Sequence, residues 1–111
     1  MIKTGGANVA PREVELLMLE SPEILEAHIV GVPDEARGEL VAAAVVLKRG
    51  QGLDADELRA RLRKELAAYK VPRHVVFFAE GALPFTDTGK IDKPRLTPLV
   101  VERIAAEGAA A

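Results

Sequence analysis

Two segments of the chain contain residues whose types and spacing could do chemistry. The first is Pro84–Lys90, in which two threonines and an aspartate precede a glycine–lysine pair. Small polar residues of this kind form turns, and a lysine at the end of a turn can project its ammonium away from the body of a domain. Because such an ammonium could meet a phosphate, Lys90 is our candidate catalytic residue, with Thr88 and Gly89 as its supporting loop.

The glycine–lysine pair is similar to the end of a phosphate-binding P-loop, but the rest of that motif is absent. A P-loop requires glycine where Pro84 stands and serine or threonine where Ile91 stands. We therefore reject a P-loop. Taken alone, the segment favours an ordinary surface turn that carries a solvated lysine over a catalytic site.

The second segment is the glycine pair Gly5–Gly6, which is followed by Asn8. Glycine reaches positive φ without the Cβ clash that other residues suffer, so the pair predicts a turn between two short extended pieces. We therefore predict an N-terminal hairpin. A glycine pair by itself indicates a turn and no chemistry.

Composition and charge argue against several other classes of function. A net charge of -2, a pI of 5.7 and 4% aromatic residues do not suit binding to a nucleic acid, which requires a basic surface and stacking side chains. The basic run Arg59–Lys64 is interpreted as the solvated face of an amphipathic helix. His28 and His74 are isolated and are interpreted as structural or surface residues, so we predict no metal site.

The expected compartment follows from features that the sequence lacks. No apolar run approaches the roughly 20 residues that span a bilayer, and no apolar stretch near Met1 suits a signal peptide. The chain has no cysteine to stabilise a secreted fold. We therefore expect a cytoplasmic protein without a membrane span.

Alternating helices and strands must position the two segments. Beyond the hairpin, the predicted elements are a helix from Pro11 to about Glu20, a strand from Ala27 to Val32, a strand from Leu40 to Leu47, a helix that begins after Asp54, a strand at Val75–Phe78, an extended loop or hairpin at Pro84–Ile91 and a closing helix from Arg95 to Ala106. Leu40–Leu47 is apolar at every position, which predicts a central strand covered on both faces. Asp54 and Glu57 have the spacing of a capped helix start, followed by leucines on one side.

These elements predict an α+β fold in one domain. We expect a small sheet of about three strands, flanked by helices and preceded by the N-terminal hairpin, with antiparallel or mixed strand pairing. The chain of 111 residues has the usual size of a single domain, so residues 1–111 are taken as one unit.

Three stretches of the sequence resemble one known superfamily. Residues 1–15 are similar to the segment just after the hinge in acyl-CoA synthetases, firefly-luciferase-like enzymes and peptide-synthetase adenylation domains. Ala67–Pro72 and Leu83–Ile91 are similar to the later motifs of these enzymes, and the last motif contains the adenylation lysine. The resemblance covers nearly the whole chain, and its opening residues Met1–Gly6 look most like the fatty-acyl and aryl-acid CoA ligases.

The resemblance implies the C-terminal mobile domain of an AMP-forming ligase with two half-reactions. An acid and ATP, which in these enzymes is used with Mg, give an acyl-adenylate, and a thiol, usually of CoA, then displaces AMP. Lys90 would serve the first step, whereas Gly5 and Gly6 would line the tunnel for the thiol in the second. Lys70 matches a position that can meet CoA phosphates. ATP and the acid would bind mainly to a large N-terminal domain, so we expect the isolated domain to be inactive.

The chain also departs from the superfamily pattern. Ala7 stands where many relatives carry an acidic residue, and Lys93 stands where arginine is common. The hinge residue of the superfamily lies just before Met1, which we interpret as an internal methionine of a longer protein. A free-standing interaction or regulatory module with the same fold and no activity is the alternative. The acid itself, and a carrier-protein thiol in place of CoA, stay open.

Overall fold

A mixed five-stranded sheet and three α-helices form the fold in the computed structural model, which describes residues 1–110. The strands are β1 (Ile2–Thr4), β2 (Ala7–Val9), β3 (Ile24–Asp34), β4 (Gly38–Leu47) and β5 (His74–Phe77). The helices are α1 (Pro11–Met18), α2 (Ala55–Arg63) and α3 (Lys93–Ala110), and a short 3-10 helix spans Ala68–Lys70. The predicted α+β class is confirmed.

Strand β4 is the centre of the sheet. It pairs with β3 in antiparallel fashion from Ile24 opposite Leu47 to Asp34 opposite Gly38, and with β5 in parallel fashion along Ala42–Val45. Residues 41–46 are all buried. A strand that is apolar at successive positions must be covered on both faces, because its side chains alternate between them. The predicted central strand is therefore confirmed.

Each face of the sheet contributes to a separate apolar core. One core lies between the sheet and the helices α1 and α2, and it takes Val41, Ala43 and Val45 from β4. The other lies beneath α3 and takes Ala42, Ala44 and Val46. The first core also includes apolar side chains from α1, α2, β3 and the loop before α2, among them Val14, Met18, Ala27, Ile29, Leu53, Leu58 and Leu62. The sheet thus separates two layers of helix.

The sheet is larger than the predicted three strands because the N-terminal hairpin joins it. Strand β1 pairs with β2 from Ile2 opposite Val9 to Thr4 opposite Ala7. Thr4 also pairs with Gly38 of β4. The hairpin is therefore attached directly to the central strand, and its predicted turn is held in place by the sheet.

Helix boundaries differ from the prediction by a few residues. Helix α1 ends at Met18, before the predicted end near Glu20, because Ser21 precedes Pro22 and a residue before proline disfavours helical backbone. Helix α3 begins at Lys93, two residues earlier than predicted. The Asp92 carboxylate accepts a hydrogen bond from the Arg95 N–H at 3.2 Å and caps this helix start.

The predicted start of α2 is confirmed. The Asp54 carboxylate accepts a hydrogen bond from the Glu57 N–H at 2.8 Å, an N-cap worth about 1 kcal/mol. Leu58 and Leu62 on the helix, and Leu66 after it, are buried in the core beneath α1 and α2.

An ion pair links α2 to the segment before β3. The Arg61 guanidinium donates to both oxygens of the Glu23 carboxylate, at 2.8 and 2.9 Å. These hydrogen bonds lower the pKa of Glu23 from an ordinary value of 4.5 to about 2. The carboxylate therefore stays charged in the folded state at pH values where the unfolded chain is protonated.

The lowered pKa predicts an acid-sensitive contribution to stability. The contribution of the Glu23 carboxylate is fully present above pH 4.5 and is lost as the pH falls toward about 2, because only the unfolded state binds a proton in that window. Urea unfolding of the unmodified chain and of the Glu23→Gln variant, at about pH 6.5 and about pH 3.5, measures this contribution to the free energy of unfolding. The stability difference between the two proteins is expected to shrink at the lower pH. An equal difference at both pH values would contradict the prediction.

Candidate functional site

Lys90 closes a tight hairpin at the end of the loop before α3. The Thr86 N–H donates to the Lys90 carbonyl at 2.7 Å, and the Gly89 N–H donates to the Thr86 carbonyl at 2.9 Å. Gly89 has a φ of 84°, which a side chain would strain. This is the pattern of a three-residue hairpin loop that ends in a glycine bulge, so the sequence before Lys90 fits the turn it must form.

Side-chain contacts hold the same turn. The Thr86 hydroxyl accepts from the Lys90 N–H at 3.3 Å and lies 3.0 Å from the Thr88 hydroxyl. Below the turn, Phe85 and Ile91 form an isolated antiparallel bridge. The predicted extended loop or hairpin at Pro84–Ile91 is therefore a hairpin, and the backbone of Lys90 is fixed through both its N–H and its carbonyl.

The Lys90 side chain is exposed, as are Thr88 and Gly89. Within residues 1–110, the Lys90 ammonium has no hydrogen-bond or ion-pair partner. A fixed backbone with an exposed cation is suited to meeting an anion that approaches from outside the domain.

The base of the hairpin rests on the sheet and on the core beneath α3. Leu83 is buried in that core, and Ile91 packs against it. The Phe85 ring meets the His28 ring of β3 edge to face, with centroids 6.3 Å apart. His28 in turn lies 3.3 Å from the Glu26 carboxylate. His28 is thus a packing contact for the hairpin, in agreement with its interpretation as structural.

The sequence reasoning missed a buried carboxylate that binds Lys93, three residues after Lys90. Glu15 of α1 is only 5% exposed, and its Oε2 accepts from the Ile29 N–H at 2.8 Å and from Lys93 Nζ at 2.8 Å. The available signal was its position on the apolar side of α1, beside Val14 and three residues before Met18. A charge at such a position needs a partner when it is buried.

The Gly5–Gly6 turn has the conformation that only glycine adopts readily. The φ angles are 57° for Gly5 and 84° for Gly6, as a two-residue type I′ hairpin turn requires. The Gly5 N–H donates to the Arg37 carbonyl at 3.0 Å. A Cβ on Gly5 would lie 3.4 Å from an Arg37 guanidinium nitrogen, whereas a Cβ on Gly6 would have no atom within 4 Å. The space beside Gly6 is therefore open.

An open pocket of about 280 Å³ borders this turn. It lies between the hairpin, the start of β4 and the 3-10 helix, and its lining includes Thr4, Arg37, Tyr69, Val71 and Arg73. Two guanidinium groups and an exposed aromatic ring thus surround one concave surface. Sequence reasoning missed Arg37 and Arg73, because residues far apart in the chain meet only here.

Lys70 lies in the 3-10 helix that borders this pocket. Its ammonium is 3.0 and 3.2 Å from the two oxygens of the Glu13 carboxylate on α1. This hydrogen bonding raises the pKa of Lys70 above its ordinary value. The structure therefore places Lys70 next to Tyr69, which lines the pocket, and pairs its charge with Glu13.

The two predicted regions lie apart. Leu83 at the base of the Lys90 hairpin belongs to the core beneath α3, whereas Val41 and Val71 of the pocket belong to the other core. Among the described residues, no hydrogen bond or ion pair joins the hairpin to the pocket. The Lys90 hairpin thus packs on the core beneath α3, whereas the pocket beside the glycine turn borders the other core.

His74 begins β5 beside a basic cluster. Burial lowers the pKa of His74, and the neighbouring Arg73 and Arg59 lower it further.

In the described part of the chain, no three His, Cys, Asp or Glu side chains form a group that could hold a metal ion. A helix long and apolar enough to cross a bilayer is also absent from residues 1–110.

Comparison with known proteins identifies the family. Residues 13–90 match the AMP-binding enzyme C-terminal domain, and this segment ends at Lys90. The chain belongs to that family. The match confirms the resemblance predicted from residues 1–15, Ala67–Pro72 and Leu83–Ile91.

Relatives of this AMP-binding C-terminal domain are CoA ligases. The chain is 49% identical over 96 residues to a long-chain-fatty-acid–CoA ligase of Bacillus subtilis, covering 86% of this chain and 17% of that protein. It is 44% identical over 96 residues to a medium-chain acyl-CoA ligase of Danio rerio, covering 86% of this chain and 16% of that one. The chain thus spans less than a fifth of the length of either relative.

A solved structure has the same fold as the AMP-binding C-terminal domain described here. The amide bond synthetase of Marinactinospora thermotolerans superposes with a TM-score of 0.82 at 40% sequence identity. The superposition covers 88% of this chain and 19% of that enzyme.

Proposed function

We propose that residues 1–111 are the C-terminal mobile domain of an AMP-forming acid–CoA ligase for a fatty or aryl acid. The observation that carries the proposal is the exposed ammonium of Lys90 on a hairpin whose backbone is fixed, at the end of the matched family segment. The names of the two relatives supply the reaction class. The partner is a large N-terminal domain that holds most of the ATP and acid site.

In the first half-reaction, Lys90 acts by electrostatics. A carboxylate oxygen of the acid attacks the α-phosphorus of ATP, the bond to the β-phosphate oxygen breaks, and pyrophosphate leaves with the bonding electrons. Negative charge increases on the phosphate oxygens, and a preorganised ammonium in a water-poor cleft stabilises it. Thr88 and Gly89 act by keeping the loop of Lys90 in one conformation. Mg²⁺ would accompany ATP as part of the substrate.

In the second half-reaction, the glycine turn faces the thiol. The sulfur of CoA loses its proton to solvent and attacks the acyl carbonyl carbon, the bond from that carbon to the phosphate oxygen breaks, and AMP leaves with the bonding electrons. Gly5 and Gly6 have no side chains, so the narrow pantetheine arm can pass close to their backbone. The arginines of the adjoining pocket and Lys70 provide positive charge for the CoA phosphates, with Lys70 held by Glu13. Ala7 contributes no carboxylate there.

The separation of the two regions supports their use in alternation. Lys90 and the glycine turn belong to segments that pack on different cores, so each would meet the reacting atoms in a different orientation of the domain. A rotation of the domain between the half-reactions would bring each region to the acyl group in turn. The comparisons do not favour the alternative of an inactive interaction module, since the relatives named above are ligases.

Pyrophosphate release tests the proposal. The complete protein is expected to release pyrophosphate from ATP only when a suitable acid is present, with octanoate, palmitate and phenylacetate as probes, and to form a CoA thioester when CoA is added. The isolated 111-residue chain is expected to show no ATP–pyrophosphate exchange, because most of the nucleotide site lies in the other domain.

Two results would contradict the proposed function. Clear exchange by the pure 111-residue chain would show that the chain holds the whole adenylation site. Absence of acid-dependent pyrophosphate release from the complete protein, with a broad panel of fatty and aryl acids, would favour the inactive module.

A further inference from the structure

Glu15 is the meeting point of three elements that are distant in sequence. One carboxylate oxygen accepts from the Ile29 N–H of β3 and from Lys93 Nζ of α3, each at 2.8 Å. The other oxygen lies 3.7 Å from the Arg12 guanidinium at the start of α1. The Glu15 side chain is 6% exposed and that of Lys93 is 35% exposed. The pair is therefore a largely buried link and not a surface ion pair.

This link is joined to the Lys90 hairpin by a short stretch of chain. Lys93 is the first residue of α3, three positions after Lys90. Asp92, between them, donates its N–H to the Pro84 carbonyl at 3.0 Å to close the base of the hairpin, and its side chain caps α3. The second strand of the hairpin thus continues directly into Lys93, which binds Glu15 of α1, and Glu15 binds the backbone of β3.

We infer that Glu15 and Lys93 are positioning residues for Lys90, a role that rests on the proposed function above. Neither residue touches substrate, and both act through the hairpin. Removing the Lys93 cation leaves the buried Glu15 carboxylate with only the Ile29 N–H and the more distant Arg12 guanidinium as partners, and it releases the start of α3 from its anchor on α1 and β3. We expect the hairpin base to shift as a result. A displacement of about 1 Å at a catalytic group is enough to cost about 10²-fold in rate.

Amide hydrogen exchange in the 111-residue chain tests the positioning role without reference to activity. The informative amides are those of Thr86, which donates within the hairpin, and of Leu96 in the first turn of α3. Their protection is measured relative to Ala43 in the central strand, so that a uniform loss of stability cancels. The variants are Lys93→Met, which removes the cation, and Lys93→Arg, which keeps it.

Lys93→Met is expected to lower the relative protection of Thr86 and Leu96 by about tenfold, and Lys93→Arg by less than about threefold. Arg61→Met is the matched control, because it removes a comparable long-range ion pair on α2, away from the hairpin. It is expected to leave the relative protection unchanged. Unchanged relative protection in Lys93→Met, or an equal change in Arg61→Met, would overturn the positioning role.

A double variant covers the case in which Lys93→Met does not fold. Glu15→Gln with Lys93→Met removes both charges while the glutamine oxygen can still accept from the Ile29 N–H, so the core does not hold an unpaired charge. The double variant is expected to fold and still show the loosened hairpin. A folded double variant with a fully protected hairpin would also overturn the inference.

Kinetics of the complete enzyme separate this inference from the proposed function. With octanoate, palmitate and phenylacetate as probes, Lys93→Met is expected to lower ATP–pyrophosphate exchange about tenfold or more, and Lys93→Arg to retain most of it. Thioester formation from supplied acyl-adenylate is expected to be unchanged. A loosened hairpin with normal exchange, or an unaltered hairpin, would refute the positioning role, whereas normal exchange in Lys90→Ala would refute the proposed function itself.

Discussion

Lys90→Ala in the complete enzyme is expected to lower adenylation by about 10² to 10³-fold, while thioester formation from supplied acyl-adenylate stays within about twofold. The ammonium stabilises charge that develops on the phosphate oxygens, and this charge develops only in the first half-reaction. Lys90 is exposed and its side chain has no partner within residues 1–110, so its removal should leave the fold intact. ATP–pyrophosphate exchange and single-turnover thioester formation measure the two steps separately.

A matched lysine controls for the loss of a surface charge. Lys64 follows α2, is exposed and lies outside both candidate regions. Lys64→Ala is expected to leave both half-reactions near the level of the unmodified enzyme. An equal loss in both half-reactions on Lys90→Ala would show that assigning Lys90 to one step is wrong.

Gly6→Val is expected to have the opposite step specificity, with thioester formation reduced about 10 to 100-fold and adenylation largely retained. Gly6 has a φ of 84°, and no atom lies within 4 Å of where its Cβ would stand. A side chain at this position therefore projects into open space, where the proposed thiol tunnel would form against the other domain. Thioester formation from supplied acyl-adenylate, followed as a function of CoA concentration, measures the effect.

The chain offers a control with the same backbone strain. Gly50 has a φ of 79° and likewise no atom within 4 Å of a Cβ, but it lies in the loop after β4. A valine in the left-handed region costs about 1 to 2 kcal/mol at either position. Similar kinetic losses in Gly6→Val and Gly50→Val would mean that strain, and not obstruction of the tunnel, is responsible.

Much of the fold could be predicted because its signals are local. An unbroken apolar run at Leu40–Leu47 has few solutions other than a strand with both faces covered, and β4 is such a strand. The Asp54 cap depends on the residue three positions away, so its spacing is visible in the sequence. The extent of the sheet was underestimated, since the pairing of Thr4 with Gly38 joins residues that no periodicity connects.

Part of the candidate site could likewise be predicted from the sequence, and part could not. Lys90 and the glycine turn were recognised as motifs, because a turn demands particular residues at adjacent positions. The pocket arginines gave no comparable signal, since Arg37 and Arg73 come from different loops and meet only at the folded surface. Their assignment to the thiol, like that of Lys90 to adenylation, remains a prediction for the experiments above.

By itself, the sequence determined the conformations of the two loops and the family to which the chain belongs. Gly5, Gly6 and Gly89 have φ values of 57°, 84° and 84°, which side chains with a Cβ adopt only with strain. Because this steric limit acts within one residue, the glycines predict the turns directly from the sequence. Only the tertiary structure decided that Glu15 meets Lys93 across 78 positions, and that the Lys90 hairpin and the pocket beside the glycine turn border different cores. Such contacts depend on how whole elements pack on the two faces of one sheet, which no local pattern specifies.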